Sequence, residues 1–463
     1  MSYISARGYS LPKDAIEATE YKKIKEDLTV KPYCPPGFGG GEGGGPKQKS
    51  NKLYVETATR IYVPKFYGIL NFGKPEKDKR QDGRAVDFTF KGTLRPEQEE
   101  PVKACMTAIE DENVGRGGIL NVFCGGGKTT MALYIMAQVG RKTLIIVHKD
   151  FLLNQWKERI EQFCPGVRLG LIKAKVVDVD ADIVLASLQS LSMKEYPADT
   201  FEDFGLTIID EVHHTSAEVF SRALRKIGAC RRTLGLSATI QRKDGLTKVF
   251  IWHLGAVLYS AAKRNDTDVV VDVVSFHSAD RKYCEEPVIN TGSRYGPSPN
   301  VSRMINNLCA FGPRNDLIVS KIKDIFQKEP RRKMLVLSDR RAHLGGLIDL
   351  MNAACPDLST GLYVGGMKAS ALAECETKQI IFATYAIASE GYDQPGLDTL
   401  ILATPKSDVV QSVGRILREK QELRKHAPLI VDIVDQFSLF PRQFAKRKTF
   451  YNKGRCALRA CLP

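Results

Sequence analysis

The feature that most constrains the fold is a run of short apolar segments that alternate with amphipathic stretches, and this run occurs twice. The predicted strands of the first run are residues 117–124, 142–148, 181–187, 206–210 and 231–239. Those of the second run are residues 268–276, 332–338, 359–365, 378–384, 398–404 and 428–435. Strands that alternate with helices form parallel sheets covered on both faces. The sequence therefore predicts two α/β domains, at 91–262 and 263–440.

The two ends of the chain depart from this pattern. Residues 34–51 are rich in glycine and predict a flexible loop. Residues 52–73 alternate apolar and polar side chains, which indicates a few strands and hence a small β-rich N-terminal module at 1–90. Residues 441–463 carry seven Lys or Arg and no acidic residue. We expect a basic tail there, which is either a solvated, disordered end or a binding surface.

Charge and cysteine content narrow the class of protein. A net charge of +15 in a chain of 463 residues favours a polyanionic partner, with solubility as the plainer alternative. The eleven cysteines include no C-x-x-C pair, so neither a zinc site nor a disulfide framework is indicated. No apolar run approaches the roughly 20 residues of a membrane span, and the first residues lack a signal-peptide pattern. We expect a soluble, intracellular protein without a membrane partner.

A glycine-rich stretch lies between a predicted strand and a predicted helix. In "NVFCGGGKTTM" the core Gly125-Gly126-Gly127-Lys128-Thr129 is intact, although Val122 replaces the first glycine of the strict G-x-x-x-x-G-K-[ST] pattern. Glycines let backbone N–H groups turn toward a phosphate, and the helix N-terminus adds its dipole. Lys128 would reach the β- and γ-phosphates and Thr129 would bind Mg²⁺. A flexible glycine turn without a ligand is the alternative.

An acidic pair follows the predicted strand 206–210. Asp210 comes at the carboxyl end of that strand, where ligands sit in parallel α/β folds. Asp210 could hold Mg²⁺ beside the phosphate loop, and Glu211 could orient or deprotonate a water molecule. His213 and His214 allow a second interpretation, a metal cage, and a third is a polar strand end without chemistry.

The motifs, taken in order, resemble those of the superfamily 2 helicases. Asp210-Glu211-Val212-His213 is similar to the D-E-x-H form of their second nucleotide motif. The others are "LRPEQ" (94–98), "VHKDFLLNQW" (147–156), "VLASLQSL" (184–191), "LSATI" (236–240), "LVLSDRRAHL" (335–344), "ATYAIASEGYD" (383–393) and "QSVGRILR" (411–418). Within the superfamily, "SATIQRKDG", "IWHLGAVLY" and "ATPKSDVVQSVGRILR" resemble the xeroderma-pigmentosum group B-type branch and helicases of large DNA viruses, including the poxvirus transcript-release helicase. The chain lacks the R-E-D tripeptide and the long N-terminal extension of the cellular repair helicase.

The resemblance implies two tandem RecA-like domains with ATP and Mg²⁺ between them. It assigns catalysis to Lys128, Asp210, Glu211, Arg415 and Arg418, and Mg²⁺ binding to Thr129 and Asp210. It assigns nucleotide binding to Gln98, which would read the adenine, and to Gly125, Gly126, Gly127, Lys128, Thr129, Thr130, Gly391, Asp393 and Gln411. His213, Ser237 and Thr239 would couple hydrolysis to domain movement. His214 matches no motif position, which favours a structural or solvent role.

The resemblance also implies a nucleic-acid track. Backbone contacts are expected from His148, Lys149, Ser187, Gln189, Ser338, Arg340 and Thr384. The expected partner is single- or double-stranded DNA, with RNA as the alternative, although the D-E-A-D form is absent. A clamp that binds nucleic acid or polymerase without turnover is a third hypothesis. RNA polymerase or transcription factors are further candidate partners, and a monomer is compatible with the sequence. A viral helicase would act in the host cytoplasm or virion, with the nucleus as the alternative.

Overall fold

The computed structural model describes residues 1–31, 50–123, 125–197, 199–212, 217–239, 245–261, 268–290, 296–390, 394, 396–417 and 424–461. The chain divides into two compact units, Met1–Ala262 and Lys263–Pro463. Among the described residues, no helix combines the length and apolar character that crossing a membrane would require.

The first unit opens with a small five-stranded sheet of order β5-β6-β2-β1-β7. The elements of this part are β1 (Tyr3–Ser5), β2 (Gly8–Pro12), α1 (Ala18–Asp27), β3 (Thr29–Val30), β4 (Asn51–Lys52), β5 (Val55–Glu56), β6 (Arg60–Val63), α2 (Lys65–Phe72) and β7 (Lys77–Asp78). The few strands expected within residues 52–73 form only in the first part of that segment, because its second half is the helix α2. Pro64, just before the helix, fits a helix start. The glycine-rich segment 34–51 lies almost wholly outside the described residues.

The larger part of the first unit is an eight-stranded sheet of order β11-β10-β12-β9-β13-β14-β8-β15. Its elements are α3 (Pro96–Glu110), β8 (Gly117–Asn121), α4 (Lys128–Val139), β9 (Thr143–Val147), α5 (Asp150–Phe163), β10 (Leu169–Lys173), β11 (Val176–Asp178), β12 (Ile183–Ser187), α6 (Leu188–Met193), β13 (Leu206–Ile209), α7 (Ala217–Lys226), β14 (Arg232–Ser237), α8 (Thr247–Leu254) and β15 (Val257–Ser260). All neighbouring strands are parallel except β10 and β11.

The central strands of this sheet are buried on both faces. Every residue of β9, β12 and β13 is buried, because separate apolar clusters cover the two sides of the sheet. Parallel pairing sets β8, β9, β12, β13 and β14 in register, so their carboxyl ends form one edge, called here the carboxyl edge. The loops after these strands therefore lie along one line, where ligands bind in such folds.

The N-terminal module packs against the larger part of its unit. Its apolar core includes Leu246, Val249 and Trp252, the last two on α8. Tyr67 on α2 meets Trp252 edge-on, with ring centroids 5.3 Å apart. This shared core explains why residues 1–262 form one compact unit.

The second unit is a seven-stranded parallel sheet of order β20-β21-β19-β22-β23-β16-β24, beside the small hairpin β17-β18. Its elements are β16 (Val270–Phe276), α9 (Arg281–Cys284), β17 (Val288–Ile289), β18 (Ser298–Pro299), α10 (Val301–Ala310), α11 (Gly312–Lys328), β19 (Met334–Ser338), α12 (Arg341–Ala354), β20 (Thr360–Tyr363), α13 (Ala369–Glu376), β21 (Ile380–Thr384), α14 (Tyr385–Glu390), β22 (Thr399–Leu402), α15 (Val410–Ile416), β23 (Leu429–Asp435), α16 (Phe440–Lys453) and β24 (Ala457–Cys461). The predicted α/β class with two large parallel sheets is confirmed.

The segment predicted to be a basic tail is part of this second unit. Residues 440–461 form α16 and β24, and β24 pairs in parallel with β16. Arg447 anchors the helix, because its guanidinium contacts both carboxylate oxygens of Asp432 at 2.8 Å. The hydroxyl of Tyr451 donates to the same carboxylate at 2.9 Å. This buried network holds the helix against the sheet, which a count of charges along the sequence does not show.

Candidate active site

The phosphate loop connects β8 to α4 through tight turns. Gly127, directly before α4, has a φ of 82°, a left-handed conformation that glycine adopts without strain. A Cβ at Gly127 would lie 2.0 Å from Nε2 of Gln98, and a Cβ at Gly126 would lie 2.3 Å from Val122. The loop is therefore closely packed, and Gly126 and Gly127 have no room for a side chain.

Gln98 packs directly beneath this loop. The side chain is buried, with Nε2 donating to the carbonyl of Gly126 at 3.3 Å and Oε1 accepting from the backbone N–H of Arg95 at 2.9 Å. Gln98 thus holds the phosphate loop to the start of α3. Its contact with adenine stays a prediction.

Lys128 and Glu211 come together from separate elements. Nζ of Lys128 donates to the carbonyl of Val122 at 3.2 Å and lies 3.7 Å from Oε1 of Glu211. Thr129 and Thr130 follow in the first turn of α4 and are partly exposed. The lysine of the phosphate loop and the candidate base therefore share one small site.

Asp210 lies at the carboxyl edge, directly after β13, and is 9% exposed. Its Oδ2 accepts from Nε1 of Trp156 at 2.9 Å, and its Oδ1 accepts from the backbone N–H of Glu211 at 2.9 Å. Burial, together with the charge of Glu211, raises the pKa of Asp210 to about 6. Lys128 and Trp156 act against this shift because they favour the charged carboxylate.

Glu211 has an uncommon backbone conformation. Its φ is 49°, in the left-handed region, which costs a residue other than glycine on the order of 1–3 kcal/mol. The hydrogen bond from the Glu211 N–H to Asp210 helps to hold this turn. In this conformation the Glu211 carboxylate lies beside the phosphate-loop lysine, with Oε1 3.7 Å from Nζ of Lys128.

The donors at this site fit Mg²⁺ rather than zinc. Asp210 and Thr129 offer oxygen atoms, which Mg²⁺ prefers, next to a loop shaped for phosphates. The described residues contain no group of three or more His, Cys, Asp or Glu side chains that could hold a metal. His213 and His214, on which the metal-cage interpretation depends, lie outside the described residues.

Three further predicted positions of the ATP site lie outside the described residues of the second unit: Gly391, Asp393 and Arg418. Gln411 and Arg415 are described and lie on α15. Arg415 is buried, and its Nε donates to the carbonyl of Ala388 on α14 at 2.6 Å. The contact fixes the stem of the arginine within its own unit. Its role as an arginine finger stays a prediction.

The predicted coupling motif forms a turn after β14. Oγ of Ser237 donates to the carbonyl of Thr239 at 2.5 Å and accepts from the N–H of Thr239 at 3.3 Å. The backbone N–H of Val122, at the start of the phosphate loop, donates to the carbonyl of Ser237 at 3.0 Å. Ser237 is therefore joined through the backbone to the phosphate loop. His213, its predicted partner, lies outside the described residues.

The predicted nucleic-acid residues of the first unit follow the carboxyl edge away from the phosphate loop. His148 and Lys149 come after β9, and Ser187 ends β12, on the far side of β13 from β8. Gln189 is exposed, and its amide contacts the sulfur of Met193 at 3.1 Å. Burial lowers the pKa of Lys149. These four residues extend the line of the nucleotide site along the same edge, although Ser187 differs from the expectation of a phosphate contact because it is buried.

Two of the three predicted nucleic-acid residues of the second unit can offer side-chain groups to a ligand. Arg340 and Thr384 are partly exposed, although Arg340 also bonds Asn306 at 2.6 Å. Ser338 differs from the expectation because it is fully buried. Its Oγ accepts from the N–H of Arg340 at 3.1 Å and pairs with Nδ1 of His343 at 3.0 Å. Ser338 therefore shapes the turn that presents Arg340.

Trp156 is the residue of this site that motif reading missed. It lies 1% exposed on α5, among the core positions Leu152, Leu153 and Ile160. A buried indole N–H needs an acceptor, so a tryptophan at a core position of α5 was itself a signal of a polar partner. Which carboxylate accepts this hydrogen bond follows only from the packing of α5 beside β13.

Comparisons with known proteins identify the family of the chain. Residues 91–242 match the family model described as "Type III restriction enzyme, res subunit". The chain is 35% identical over 457 residues to "Putative ATP-dependent RNA helicase L396" of Acanthamoeba polyphaga mimivirus, covering 97% of this chain and 85% of the relative. It is 26% identical to "Putative helicase 161L" of Invertebrate iridescent virus 6, and the match covers 87% of this chain and 89% of the relative.

A solved structure supports the fold alone. The fragment of a "putative HsdR subunit of a type I restriction enzyme" from Vibrio vulnificus YJ016 aligns with a TM-score of 0.56 and 16% identity, over 81% of this chain and 69% of that one. Its similarity agrees with RecA-like sheets in both units. The family assignment comes from the viral relatives: the chain belongs to the superfamily 2 helicases of large DNA viruses and is an ATPase of that superfamily.

Proposed function

We propose that the chain hydrolyses ATP to move along, or to unwind, DNA. The observation that carries the proposal is the meeting of Lys128, Asp210 and Glu211 at the carboxyl edge of the first sheet. A clamp without turnover would have no need of a carboxylate pair held against the phosphate-loop lysine at the cost of backbone strain.

In the proposed reaction, Lys128 leaves Glu211 and the Val122 carbonyl to contact the ATP phosphates. Glu211 then accepts a proton from water as the water oxygen bonds to the γ-phosphorus and the bond to ADP breaks. Asp210 and Thr129 would hold Mg²⁺, which neutralises charge on the phosphates. Arg415 and Arg418 would stabilise the transferring phosphate, a role that arginine fills with a permanently charged planar group.

In the proposed mechanism, the turn after β14 couples ATP hydrolysis to movement along the nucleic acid. Ser237 and Thr239 form that turn, and Ser237 joins the phosphate loop through the backbone. A change in the loop on hydrolysis would be passed to this turn, with His213 as the proposed bridge. His148, Lys149, Gln189, Arg340 and Thr384 are the proposed contacts to the phosphate backbone, which bind without reading sequence.

We propose DNA as the polymer, because several stretches of the chain resemble the xeroderma-pigmentosum group B-type branch of DNA helicases. RNA is the second candidate, because the names of the mimivirus relative and of an African swine fever virus relative describe ATP-dependent RNA helicases. For the biological process we propose viral transcription, as in transcript release, with DNA repair or recombination as the alternative. RNA polymerase or transcription factors would be the protein partners, in the host cytoplasm, the virion or the nucleus.

The deciding experiment measures ATP hydrolysis by the full chain with single-stranded DNA, duplex DNA and RNA of matched length. We expect DNA to stimulate turnover more than RNA does. Greater stimulation by RNA would replace the DNA assignment with the RNA one. Lack of hydrolysis by folded protein under every condition would leave a binding clamp.

Glu211→Gln tests the assignment of the base within the same experiment. The amide has the shape of the carboxylate but cannot accept the proton, so we expect hydrolysis to fall by about 10²–10⁴-fold. ATP binding, measured with a fluorescent ATP analogue, should remain. Turnover close to that of the unchanged protein would show that another group accepts the proton.

A further inference from the structure

The helix α16 carries a row of cationic side chains on its outer face. Arg442, Lys446, Lys448, Lys453 and the following Arg455 are all exposed. None of the five forms an ion pair with any residue that the structure describes. The sequence from 441 to 463 contains no acidic residue that could neutralise them. An uncompensated cationic surface of this kind attracts polyanions.

The orientation of this face is fixed by the opposite side of the helix. Phe440, Arg447 and Tyr451 are buried, and the last two bond to Asp432 inside the unit. With 3.6 residues per turn, Arg442, Lys446 and Lys453 lie on the side away from these buried residues. We call these three residues the α16 stripe. Arg447 is thus a structural cation, while the stripe points toward solvent.

The helix α16 is connected through polar contacts to the turn that contains Arg340, a predicted nucleic-acid contact. Arg447 also donates to the carbonyl of Lys406, in the loop after β22. Nζ of Lys406 lies 3.0 Å from a carboxylate oxygen of Asp339, which precedes Arg340. Because α16 follows β23, its first turn lies near the carboxyl edge of the second sheet, where β19 and β21 also end.

The dimensions of the stripe suit a nucleic-acid backbone. Arg442 and Lys453 are eleven residues apart, which is about 16 Å along a helix at 1.5 Å per residue. One strand of a duplex carries a charge about every 3.4 Å along the axis, so the stripe spans about five phosphates. Flexible cationic side chains at this spacing can contact phosphates without reading bases.

We propose that the α16 stripe is a second, sequence-independent binding surface for the phosphate backbone of the nucleic acid, outside the contacts expected from the helicase motifs. The inference rests on the proposed function, because it extends the nucleic-acid track of that function. The surface adds affinity for the polymer and takes no part in ATP hydrolysis.

The test measures how salt affects DNA binding by the full chain. The variant R442Q/K446Q/K453Q removes the three charges of the stripe, and binding of a fluorescein-labelled duplex is titrated at several salt concentrations. We expect weaker binding and a slope of log K against log[salt] that is smaller by about two to three, because three fewer counterions are released. The charge-retaining variant R442K/K446R/K453R should bind like the unchanged protein.

The matched control removes the same charges elsewhere in the second unit. Lys323, Lys328 and Arg331 are exposed and have no ion pair with any described residue. The variant K323Q/K328Q/R331Q should keep the slope of the unchanged protein. An equal fall of the salt slope in both variants, or no fall in the stripe variant, would overturn the inference. The inference would also be overturned if the stripe variant lost binding to poly-glutamate while its binding to DNA was retained. Lack of ATPase stimulation by nucleic acid in the unchanged protein would count against the proposed function instead.

Discussion

At the scale of single residues, the least expected contact is that between Trp156 and Asp210. The indole N–H is the one side-chain donor that reaches the Asp210 carboxylate among the described hydrogen bonds. It favours the charged carboxylate, which is the form that binds a metal ion. Trp156 is therefore a positioning residue for the proposed Mg²⁺ ligand Asp210, and α5 links that position to His148 and Lys149, which precede the helix.

Trp156→Phe removes this donor and keeps a smaller aromatic ring at the same buried position. Groups that orient a metal ligand affect metal affinity by about 10–100-fold, so the Mg²⁺ concentration for half-maximal ATPase activity should rise by about tenfold. Trp252→Phe is the matched control, because Trp252 packs on Tyr67 in the N-terminal core and does not contact Asp210. An equal change in Mg²⁺ requirement for both variants would show that the effect comes from weakened packing.

The positions of Lys128, Asp210 and Glu211 follow from the sequence, because each occupies a fixed offset from the end of an apolar strand; their catalytic roles stay predictions. The partner of Asp210 could not be assigned in the same way, since Trp156 reaches it across 54 positions of chain. The burial of Ser338 was also beyond sequence reasoning. A serine at a strand end is equally suited to bind a phosphate or to hold its own turn, and His343 decides the matter.

At the scale of elements, α4 begins and ends with left-handed glycines that have different surroundings. Gly127 at its start has a φ of 82° and Gly140 at its end has a φ of 58°. Either glycine is strained by substitution, but only at Gly127 would the new Cβ meet Gln98, at 2.0 Å. The nearest atom to a Cβ at Gly140 is the carbonyl oxygen of Val86, at 3.5 Å.

Gly127→Ala and Gly140→Ala therefore separate strain from displacement of the loop. Both should lower the free energy of unfolding by about 1 kcal/mol or more, because alanine disfavours a positive φ. Only Gly127→Ala should also weaken ATP binding, measured by equilibrium titration, since Gln98 and the phosphate loop must move apart. Normal ATP affinity in Gly127→Ala would mean that the loop accommodates the methyl group without changing its shape.

The central strands and the helix after the phosphate loop agree with the sequence prediction to within a few residues. Their apolar runs are bounded by glycine or polar residues, which makes both the type and the ends of these elements readable. Several of the elements missed lie at sheet margins. Strands β11 and β24 are largely exposed edge strands, so they carry no long apolar run. The sequence predicts a tail in place of α16 because the charged residues of this helix outnumber its buried residues.

At the scale of the whole molecule, each unit has, among its described residues, a histidine whose pKa is lowered by desolvation. Burial lowers the pKa of His253 in the first unit and of His343 in the second to about 3. Unfolded histidine has a pKa near 6.5, so the unfolded chain binds more protons between pH 6.5 and pH 3. The contribution of each histidine to the free energy of unfolding is fully present above pH 6.5. It falls by about 1.4 kcal/mol per pH unit as the pH drops through that window.

Urea unfolding at pH 7.5 and pH 5.5 checks this expectation. Replacing His343 by Asn should reduce the loss of unfolding free energy between the two pH values by about 1.4 kcal/mol. His277→Asn, at an exposed position, is the control and should leave the loss unchanged. If His343→Asn is as sensitive to acid as the unchanged protein, then His343 is not the group that binds the extra proton on unfolding.

The order of strands in the second sheet has a consequence for biosynthesis. Strand β16 opens the unit, yet both of its neighbours come from the far end of that unit: Val270 pairs with Leu429 and with Ala457. A ribosome adds about 5–20 residues per second, so β16 emerges on the order of 10 s before either partner exists. During that interval an apolar strand, VVDVVSF, has two open edges, which are templates for wrong pairing. Nascent chains of this protein should therefore depend on chaperones until α16 and β24 have been made.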